Sequence, residues 1–285
     1  MVLRNVSNII ESLPSSSLCW CLGLALITGC EANESQSIPE RSQTLIWSDE
    51  FDGDAGERPD TTMWTYDIGT GQNGWGNGEF QYYTDRPDNV ALDGAGNLVI
   101  TARREGFGGQ PFTSARIKTE GLFERAYGRF EVRAKTPVGP GIWPAIWMLG
   151  NNCDTDPWPQ CGEIDIMELR GNRPTEIAGT VHGPGYNAGN SIGQTYVLTE
   201  GRFDDQFRVF AVEWGSDYIE WYLDDFLYHR VTPDDVPGEW VFDHPFFIIM
   251  NVAVGGNYVG FPTSQTPFPQ SLTVDYVRVY ELGAD

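Results

Sequence analysis

The sequence predicts an all-β domain, a β-sandwich or jelly roll, and three observations support this. From Leu45 onward, apolar or alternating segments of five to eight residues recur between turns rich in Gly, Pro, Asn and Asp. No stretch of twelve residues with helical periodicity follows the N-terminal segment. No internal repeat or linker interrupts residues 45–281, so we expect one domain around a single core.

The clearest strand segments end at turn residues, and they are 97–102, 128–134, 207–214 and 272–280. Residues 217–228 predict a hairpin, because the pair Asp224-Asp225 separates two apolar runs. Residues 69–74 (GTGQNG) match the spacing of a dinucleotide-binding loop, but no helix-forming segment follows them. They therefore predict only a glycine-rich loop.

The N-terminal segment predicts export. Residues 1–29 carry one charge of each sign, and their apolar run at 18–27 is too short to span a bilayer, as in a signal peptide. The run leads to Cys30 in a context that resembles a bacterial lipoprotein processing site, where Cys30 would be lipidated. An ordinary signal peptide with a chance cysteine is the alternative. We expect a membrane-anchored lipoprotein, periplasmic or on the cell surface, or a secreted protein if Cys30 is not lipidated.

The domain boundaries follow from this interpretation. Residues 30–43 are polar and lack apolar periodicity, which predicts the lipidated N-terminus and a flexible tether. Residues 44–285 then form the folded domain. Apart from the lipid, no membrane contact is expected.

Five cysteines fit an exported protein. Two leave with the signal peptide and Cys30 would carry the lipid, so Cys153 and Cys161 remain. Two remaining cysteines suggest one disulfide, and two free buried thiols are the alternative. Zinc binding is disfavoured, because no second Cys or His pair lies nearby at ligand spacing.

The composition points to a neutral glycan as partner. A net charge of −22 argues against nucleic acid and anionic membranes, and it disfavours strongly anionic polysaccharides. The chain has 13% aromatic residues and ten tryptophans, which suits sugar binding, although a large aromatic core gives the same count. We expect the protein to act as a monomer.

The most informative segment is 158–168 (WPQCGEIDIME). On a regular strand Glu163 and Asp165 share one face while the isoleucines point to the core. Continued alternation would turn Glu168 into the core, at a cost of several kcal/mol for an unpaired carboxylate. A one-residue bulge near Met167 would return Glu168 to the face of the other two acids.

Three carboxyl groups on one face suit glycoside hydrolysis. Two carboxyls about 5–5.5 Å apart allow one to attack the anomeric carbon while the other protonates the leaving oxygen, with retention of configuration. Crowding would keep one of them protonated near neutral pH. A calcium site or a solvated acidic strand is the alternative that the spacing leaves open.

The run GEIDIME is similar to the E-x-D-x-x-E signature of glycoside hydrolase family 16, in its bulged, laminarinase-like form. Other segments agree with this family in order along residues 45–281, and they are 74–84, 141–150, 180–183, 251–257 and 274–280. The resemblance implies a concanavalin A-like β-jelly-roll of two curved antiparallel sheets with an open substrate cleft on the concave face. It implies retaining endo-hydrolysis of internal β-1,3-glucosidic bonds in laminarin-type glucans.

The resemblance also implies roles for single residues. It makes Glu163 the nucleophile, Glu168 the acid/base and Asp165 an assisting carboxylate. The residues that match substrate contacts are Trp143, Trp147, Asn77, Arg116 and His182.

Each of these contacts has a structural alternative. Indole suits the flat face of a sugar ring, but both tryptophans could pack in the core, and Pro144 between them favours a bent edge strand. Arg116 could form a surface ion pair. His182 could be a hydrogen-bonded structural residue.

Family members of this kind often bind a structural calcium ion, which the resemblance assigns to Glu50, the Gly96 backbone and Asp275. Turn and strand-edge roles are the alternative, and no cofactor is expected for catalysis. The chain departs from the family pattern at Gly78 and Ala115, which would alter substrate contacts without touching the chemistry.

Two other functions stay open. The same fold and chemistry could act on mixed-linkage β-1,3-1,4-glucan or on a neutral galactan. A non-catalytic glucan-binding protein is the third possibility. Related binding proteins typically lose one or more of the acids, whereas all three are present here.

Overall fold

The computed structural model describes residues 42–283, which form seventeen β-strands. The strands are β1 Gln43–Asp49, β2 Thr65–Tyr66, β3 Gln81–Tyr83, β4 Val90–Leu92, β5 Leu98–Ala102, β6 Phe112–Ser114, β7 Arg116–Lys118, β8 Gly128–Lys135, β9 Ile142–Gly150, β10 Glu163–Glu168, β11 Glu176–His182, β12 Ile192–Val197, β13 Arg208–Trp214, β14 Ile219–Leu223, β15 Phe226–Val231, β16 Phe246–Val254 and β17 Gln270–Leu282. Short helical turns lie at Gly74–Gly78, Ala188–Asn190 and Pro233–Asp235. Within 42–283 no helix has the length and apolar character needed to cross a membrane.

The strands build two large antiparallel sheets. The eight-stranded sheet has the order β15-β14-β13-β8-β17-β5-β4, with β1 paired to β17, and the seven-stranded sheet has the order β12-β11-β10-β9-β16-β7-β2. A short parallel pair, β3 and β6, completes the set. Strands that are distant in sequence are neighbours in both sheets, as in a jelly roll. The all-β prediction is therefore confirmed.

The strands predicted from the sequence are present. Segments 97–102, 128–134, 207–214 and 272–280 coincide with β5, β8, β13 and β17 to within two residues at each end. In the predicted hairpin Asp224 and Asp225 have φ angles of 47° and 65°, the left-handed pair that a tight hairpin turn needs. Strand β1 begins at Gln43, one residue before the predicted domain boundary. The predicted signal peptide and Cys30 lie outside the described residues.

One hydrophobic core joins the two sheets, and large aromatic residues fill its centre. Trp214 of β13 lies edge-on against Phe246 of β16, with ring centroids 5.1 Å apart. Trp221 of β14 crosses to the other sheet, where its Nε1–H donates to the backbone carbonyl of Asp165 at 2.8 Å. Gly179 makes room for that ring, because a Cβ at this position would lie 2.4 Å from Trp221 Cδ1.

Strand β10 contains a β-bulge at Ile166. Asp165 and Met167 pair with consecutive residues of β9, so Ile166 is left without a partner. Ile166 and Met167 both point into the core and are 1% and 0% exposed. Glu168 thereby returns to the face that carries Glu163, and the bulge predicted near Met167 is confirmed.

The prediction of an edge strand around Pro144 is wrong, since β9 lies between β10 and β16 in the centre of the sheet. Pro144 is tolerated because it lies near the start of β9, next to the end of β10. Its carbonyl accepts a hydrogen bond from Leu169, one residue beyond β10, so the missing N–H interrupts no regular ladder.

The loop between β9 and β10 is closed by a disulfide. Cys153 and Cys161 are bonded, with a sequence separation of 8, and Cys161 is fully buried. The pairing expected from the cysteine count is therefore present in the structure. It anchors the loop that leads directly into β10.

Replacing both cysteines by alanine should lower the free energy of unfolding by about 2–3 kcal/mol, because the unfolded chain loses its loop constraint. Urea unfolding of wild type and of the double variant under oxidising conditions measures this difference. Reductant should bring wild type to the midpoint of the variant and leave the variant unchanged. Equal midpoints without reductant would contradict the expectation.

Candidate active site

Three acids of β10 and one histidine of β11 form the centre of the site. Glu163 pairs with His182 across the two strands, so their side chains project from the same face of the sheet. His182 Nε2 lies 3.2 Å from Oδ2 of Asp165 and 3.9 Å from Oε1 of Glu163. Glu168, beyond the bulge, lies on this face and is partly exposed. We call this side of the seven-stranded sheet the site face.

The depth of Asp165 differs from the sequence-based expectation. Three acids were expected along one open surface, but Asp165 is 2% exposed and only the two glutamates are accessible. Burial raises the pKa of Asp165 well above its usual range, and the charges of Glu163 and Glu168 raise it further. The His182 contact acts in the opposite direction. Strand alternation predicts the face from which a side chain projects, but it does not predict how deeply that side chain is buried by its neighbours.

Trp158 holds Glu163, and the sequence interpretation did not assign it a role. Its Nε1–H donates to Oε2 of Glu163 at 2.7 Å, while its ring lies 6.0 Å from that of His182. A hydrogen bond to a carboxylate is stronger than a neutral one and stabilises its negative charge. Trp158 belongs to the loop closed by the disulfide and is 43% exposed. Its position five residues before Glu163 was the only signal in the sequence.

Trp143 holds Glu168 in a similar manner. Its Nε1–H donates to Oε1 of Glu168 at 3.0 Å, and its ring packs 5.0 Å from the ring of Tyr258. Burial and the charge of Glu163 raise the pKa of Glu168 to about 7, although His182 and Trp143 lower it. Glu168 therefore holds a proton over a large part of the pH range in which free carboxyls are ionised.

The loop after β11 fixes the tautomer of His182. The backbone N–H of Ala188 donates to Nδ1 at 3.1 Å, so in the neutral ring the proton lies on Nε2, facing Asp165. Burial lowers the pKa of His182, but the contact with Asp165 and the nearby glutamates raise it to about 9. The Ala188 N–H opposes a second ring proton, because that proton would turn Nδ1 into a donor.

The same cluster does not fit a metal site. Ligand atoms of Glu163, Asp165 and His182 lie within 4.8 Å of one another, which is a spacing that a metal ion could use. A metal would need the free electron pair of Nε2, since this nitrogen faces the carboxylates. The backbone N–H of Ala188 donates to Nδ1 and thereby keeps the ring proton on Nε2.

The residues predicted to bind calcium are arranged differently. Both oxygens of Glu50 accept hydrogen bonds from Arg278, at 2.9 and 2.8 Å, and Asp275 pairs with Arg133. Gly96 lies in the turn before β5 with φ 81°. Both oxygens of Glu50 and one oxygen of Asp275 are thus paired with arginines, and calcium stays a prediction.

Trp147 and Arg116 form one stacked unit on the site face. The guanidinium carbon of Arg116 lies 4.7 Å from the rings of both Trp147 and Trp75. Arg116 Nε also lies 2.8 Å from Oδ2 of Asp67, so the ion pair considered as an alternative is present. The Nε1–H of Trp147 donates to Asn251 at 2.8 Å, which fixes the plane of its ring. Substrate contacts of both residues stay predictions.

The side-chain amide of Asn77 contacts the buried carboxylate of Glu79. Its Nδ2 donates to Oε1 of Glu79 at 3.2 Å, and the hydroxyl of Tyr83 donates to the other oxygen at 3.2 Å. Burial raises the pKa of Glu79, while Gln81, Asn77 and Arg116 lower it. The sequence interpretation did not include Glu79, which orients the amide of Asn77.

Comparisons with known proteins agree with this geometry. Residues 77–278 match the family model of Glycosyl hydrolases family 16. The β-glucanase of Rhodothermus marinus is 43% identical over 271 residues, which cover 90% of this chain and 92% of that protein.

Two solved structures are also similar. The laminarinase catalytic domain of Thermotoga maritima has a TM-score of 0.80 at 48% identity, covering 85% of this chain and 99% of that one. The endo-β-1,3-glucanase of Pyrococcus furiosus has a TM-score of 0.82 at 45% identity, covering 87% and 98%.

Trp143→Phe should raise the pKa of Glu168 above its value of about 7, because the lost hydrogen bond stabilised the ionised carboxylate. NMR titration of ¹³C-labelled glutamate carboxyls measures this pKa, and the signal that is absent in Glu168→Gln assigns it. Trp147→Phe is the control, since its N–H donates to Asn251 instead. A pKa of Glu168 that does not change in Trp143→Phe would contradict the assignment.

Proposed function

This chain belongs to glycosyl hydrolases family 16, and we propose that it is a retaining endo-1,3-β-glucanase of the laminarinase type. The observation that carries this proposal is the bulge at Ile166, which puts Glu163 and Glu168 on one face of one strand. The laminarinase and the endo-β-1,3-glucanase among its structural neighbours support the substrate class.

The proposed first step joins the sugar to Glu163. A carboxylate oxygen of Glu163 bonds to the anomeric carbon while the glycosidic C–O bond breaks, and the proton of Glu168 goes to the leaving oxygen. Two features support these roles. Trp158 donates to Glu163 and keeps its carboxylate oriented. The pKa of Glu168 at about 7 provides a protonated acid near neutrality.

The second step needs Glu168 as a base, and the loss of the negative charge on Glu163 favours this change of role. Once Glu163 is an ester it has lost its negative charge, and with it the repulsion that raised the pKa of Glu168. Glu168 then ionises more readily and takes a proton from the attacking water, whose oxygen bonds to the anomeric carbon as the ester bond breaks. Asp165 is the assisting carboxylate in this proposal, and its Oδ2 lies 3.2 Å from Nε2 of His182.

Neutral β-glucan is the proposed substrate class. The net charge of −22 repels anionic polymers, and the aromatic and hydrogen-bonding groups on the site face suit uncharged sugar rings. We further propose export with lipidation at Cys30. The disulfide between Cys153 and Cys161 supports an oxidising compartment.

Wild type should release short oligosaccharides from laminarin, and Glu163→Gln should lower kcat by at least about 10³-fold, since an amide is no nucleophile. A panel of laminarin, mixed-linkage glucan, agarose and carrageenan measures both expectations. Glu281→Gln is the matched control, because its carboxylate is exposed and pairs with Arg125 in the loop before β8.

Each outcome of this panel discriminates between hypotheses. Hydrolysis of mixed-linkage glucan or agarose without hydrolysis of laminarin would replace the proposed substrate. Binding of laminarin without hydrolysis would favour a glucan-binding protein. Undiminished activity in Glu163→Gln would remove the nucleophile assignment.

Azide should restore turnover of Glu168→Ala on an activated aryl glucoside. This leaving group needs no proton, so the glycosyl-enzyme forms, and azide attacks it without help from a base. The product should be the β-glycosyl azide, which ¹H NMR of the anomeric proton identifies. An α-azide would indicate inversion, and absence of rescue would argue against Glu168 as acid/base.

A further inference from the structure

The loop between β9 and β10, residues 151–162, carries a donor that holds the nucleophile of the proposed reaction. The Nε1–H of Trp158 donates to Oε2 of Glu163 at 2.7 Å, which sets the rotation of that carboxyl group. The indole is 43% exposed, so packing covers little more than half of its surface. A donor this exposed stays in place only if the backbone of its own loop is held.

The disulfide is the main connection between the outer part of this loop and the rest of the domain. Among residues 42–283, the hydrogen bonds of segment 152–160 end on other residues of the loop, apart from the bond that Trp158 donates. Most residues of the segment are exposed. Cys153 lies near its start and is bonded to Cys161. Without this bond, little in the domain would hold the segment.

The other end of the disulfide lies in a well-packed part of the molecule. Cys161 is fully buried, and its carbonyl oxygen lies 3.2 Å from Nε2 of His244. The next residue, Gly162, accepts a hydrogen bond from the N–H of Gly150 at 3.3 Å. A Cβ on Gly150 would lie 1.9 Å from the Cys161 oxygen, so the two chain segments are in close contact. The disulfide thus connects the exposed segment to a fixed point two residues before Glu163.

We propose that the disulfide positions the nucleophile, because it keeps the indole of Trp158 on the carboxylate of Glu163. Cys153 and Cys161 are then positioning residues, which act on the reaction through Trp158. This inference rests on the proposed function, since it takes Glu163 as the nucleophile. Reaction is fast only when the attacking atom is held close to its target and aligned with it. The oxidised protein is therefore the fully active form.

Reduction removes this positioning. One thiolate of a dithiol reagent attacks Cys153, which is half-buried, and Cys161 leaves as a thiolate that takes up a proton. The second thiolate of the reagent then displaces Cys153, so both cysteines end as thiols and the reagent ends as a cyclic disulfide. Segment 152–160 loses its connection to the domain, and Trp158 no longer stays on Glu163.

The indole N–H of Trp158 reports the positioning without any catalysis. In ¹⁵N-labelled protein its signal is the one that is absent in Trp158→Phe. On reduction this signal should move upfield and its ¹H–¹⁵N NOE should fall, because the hydrogen bond is lost and the ring gains mobility. Cys153→Ser should have the same effect, and it leaves the buried side chain of Cys161 in place. An indole signal that is the same in the oxidised and reduced proteins would overturn the inference.

A double-mutant cycle tests whether the disulfide acts through Trp158. Cys153→Ser and Trp158→Phe should each lower kcat/KM on laminarin about tenfold, equivalent to about 1.4 kcal/mol, because a hydrogen bond to a charged group is lost. The double variant should be no less active than Trp158→Phe alone. Losses that multiply to about a hundredfold would show that the disulfide acts by another route, which would also overturn the inference.

Two controls accompany these measurements. Reductant should lower kcat/KM of wild type to the value of Cys153→Ser and leave Cys153→Ser unchanged, which excludes other effects of the reagent. Asp154→Asn should change neither kcat/KM nor the indole signal. Its side chain is exposed in the same loop, and it forms no hydrogen bond or ion pair within the part of the chain that the structure describes. Circular dichroism at the assay temperature shows that each variant is folded.

The outcomes distinguish this inference from the proposed function. Wild type that leaves laminarin intact would overturn the proposed function, and the indole signal would still test the positioning of Trp158. Active wild type that keeps its kcat/KM on reduction would overturn the positioning role of the disulfide and leave the proposed function in place.

Discussion

The site depends on one hydrogen bond that comes from the opposite sheet, from Trp221 to the carbonyl of Asp165. A bulge takes a residue out of the ladder and leaves backbone groups without their regular partners. An unsatisfied carbonyl at this buried position would cost about 1–3 kcal/mol. The indole of Trp221 satisfies it, and Gly179 provides the space for the ring. The core thus stabilises the irregular strand that brings two glutamates to one face.

Three N–H donors then fix the two glutamates and the histidine of the site. Trp158 donates to Glu163, Trp143 donates to Glu168, and Ala188 donates to the far nitrogen of His182. Burial and mutual repulsion act on Asp165 and Glu168 in the same direction and raise the pKa of both. The two glutamates of one strand therefore have different surroundings, because Trp158 comes from the loop before β10 and Trp143 comes from β9.

The sequence predicted those features that follow from local alternation. An unpaired Glu168 in the core is too costly, which required a bulge, and the bulge is present at Ile166. Features that depend on long-range pairing could not be predicted. The central position of β9 around Pro144 follows from where β10 ends, and the pairing of Glu163 with His182 follows from the register of β10 and β11. Trp158 reaches Glu163 only because its loop folds back over the strand.

The width of the seven-stranded sheet sets a length scale for the site face. Neighbouring strands lie about 4.8 Å apart, so the six intervals of the seven-stranded sheet measure roughly 29 Å from edge to edge. A polymer bound across the strands, as the proposed function requires, contacts this face over no more than this length, however long the polymer is. The width of the sheet, and not the length of the polymer, therefore sets the upper limit of contact.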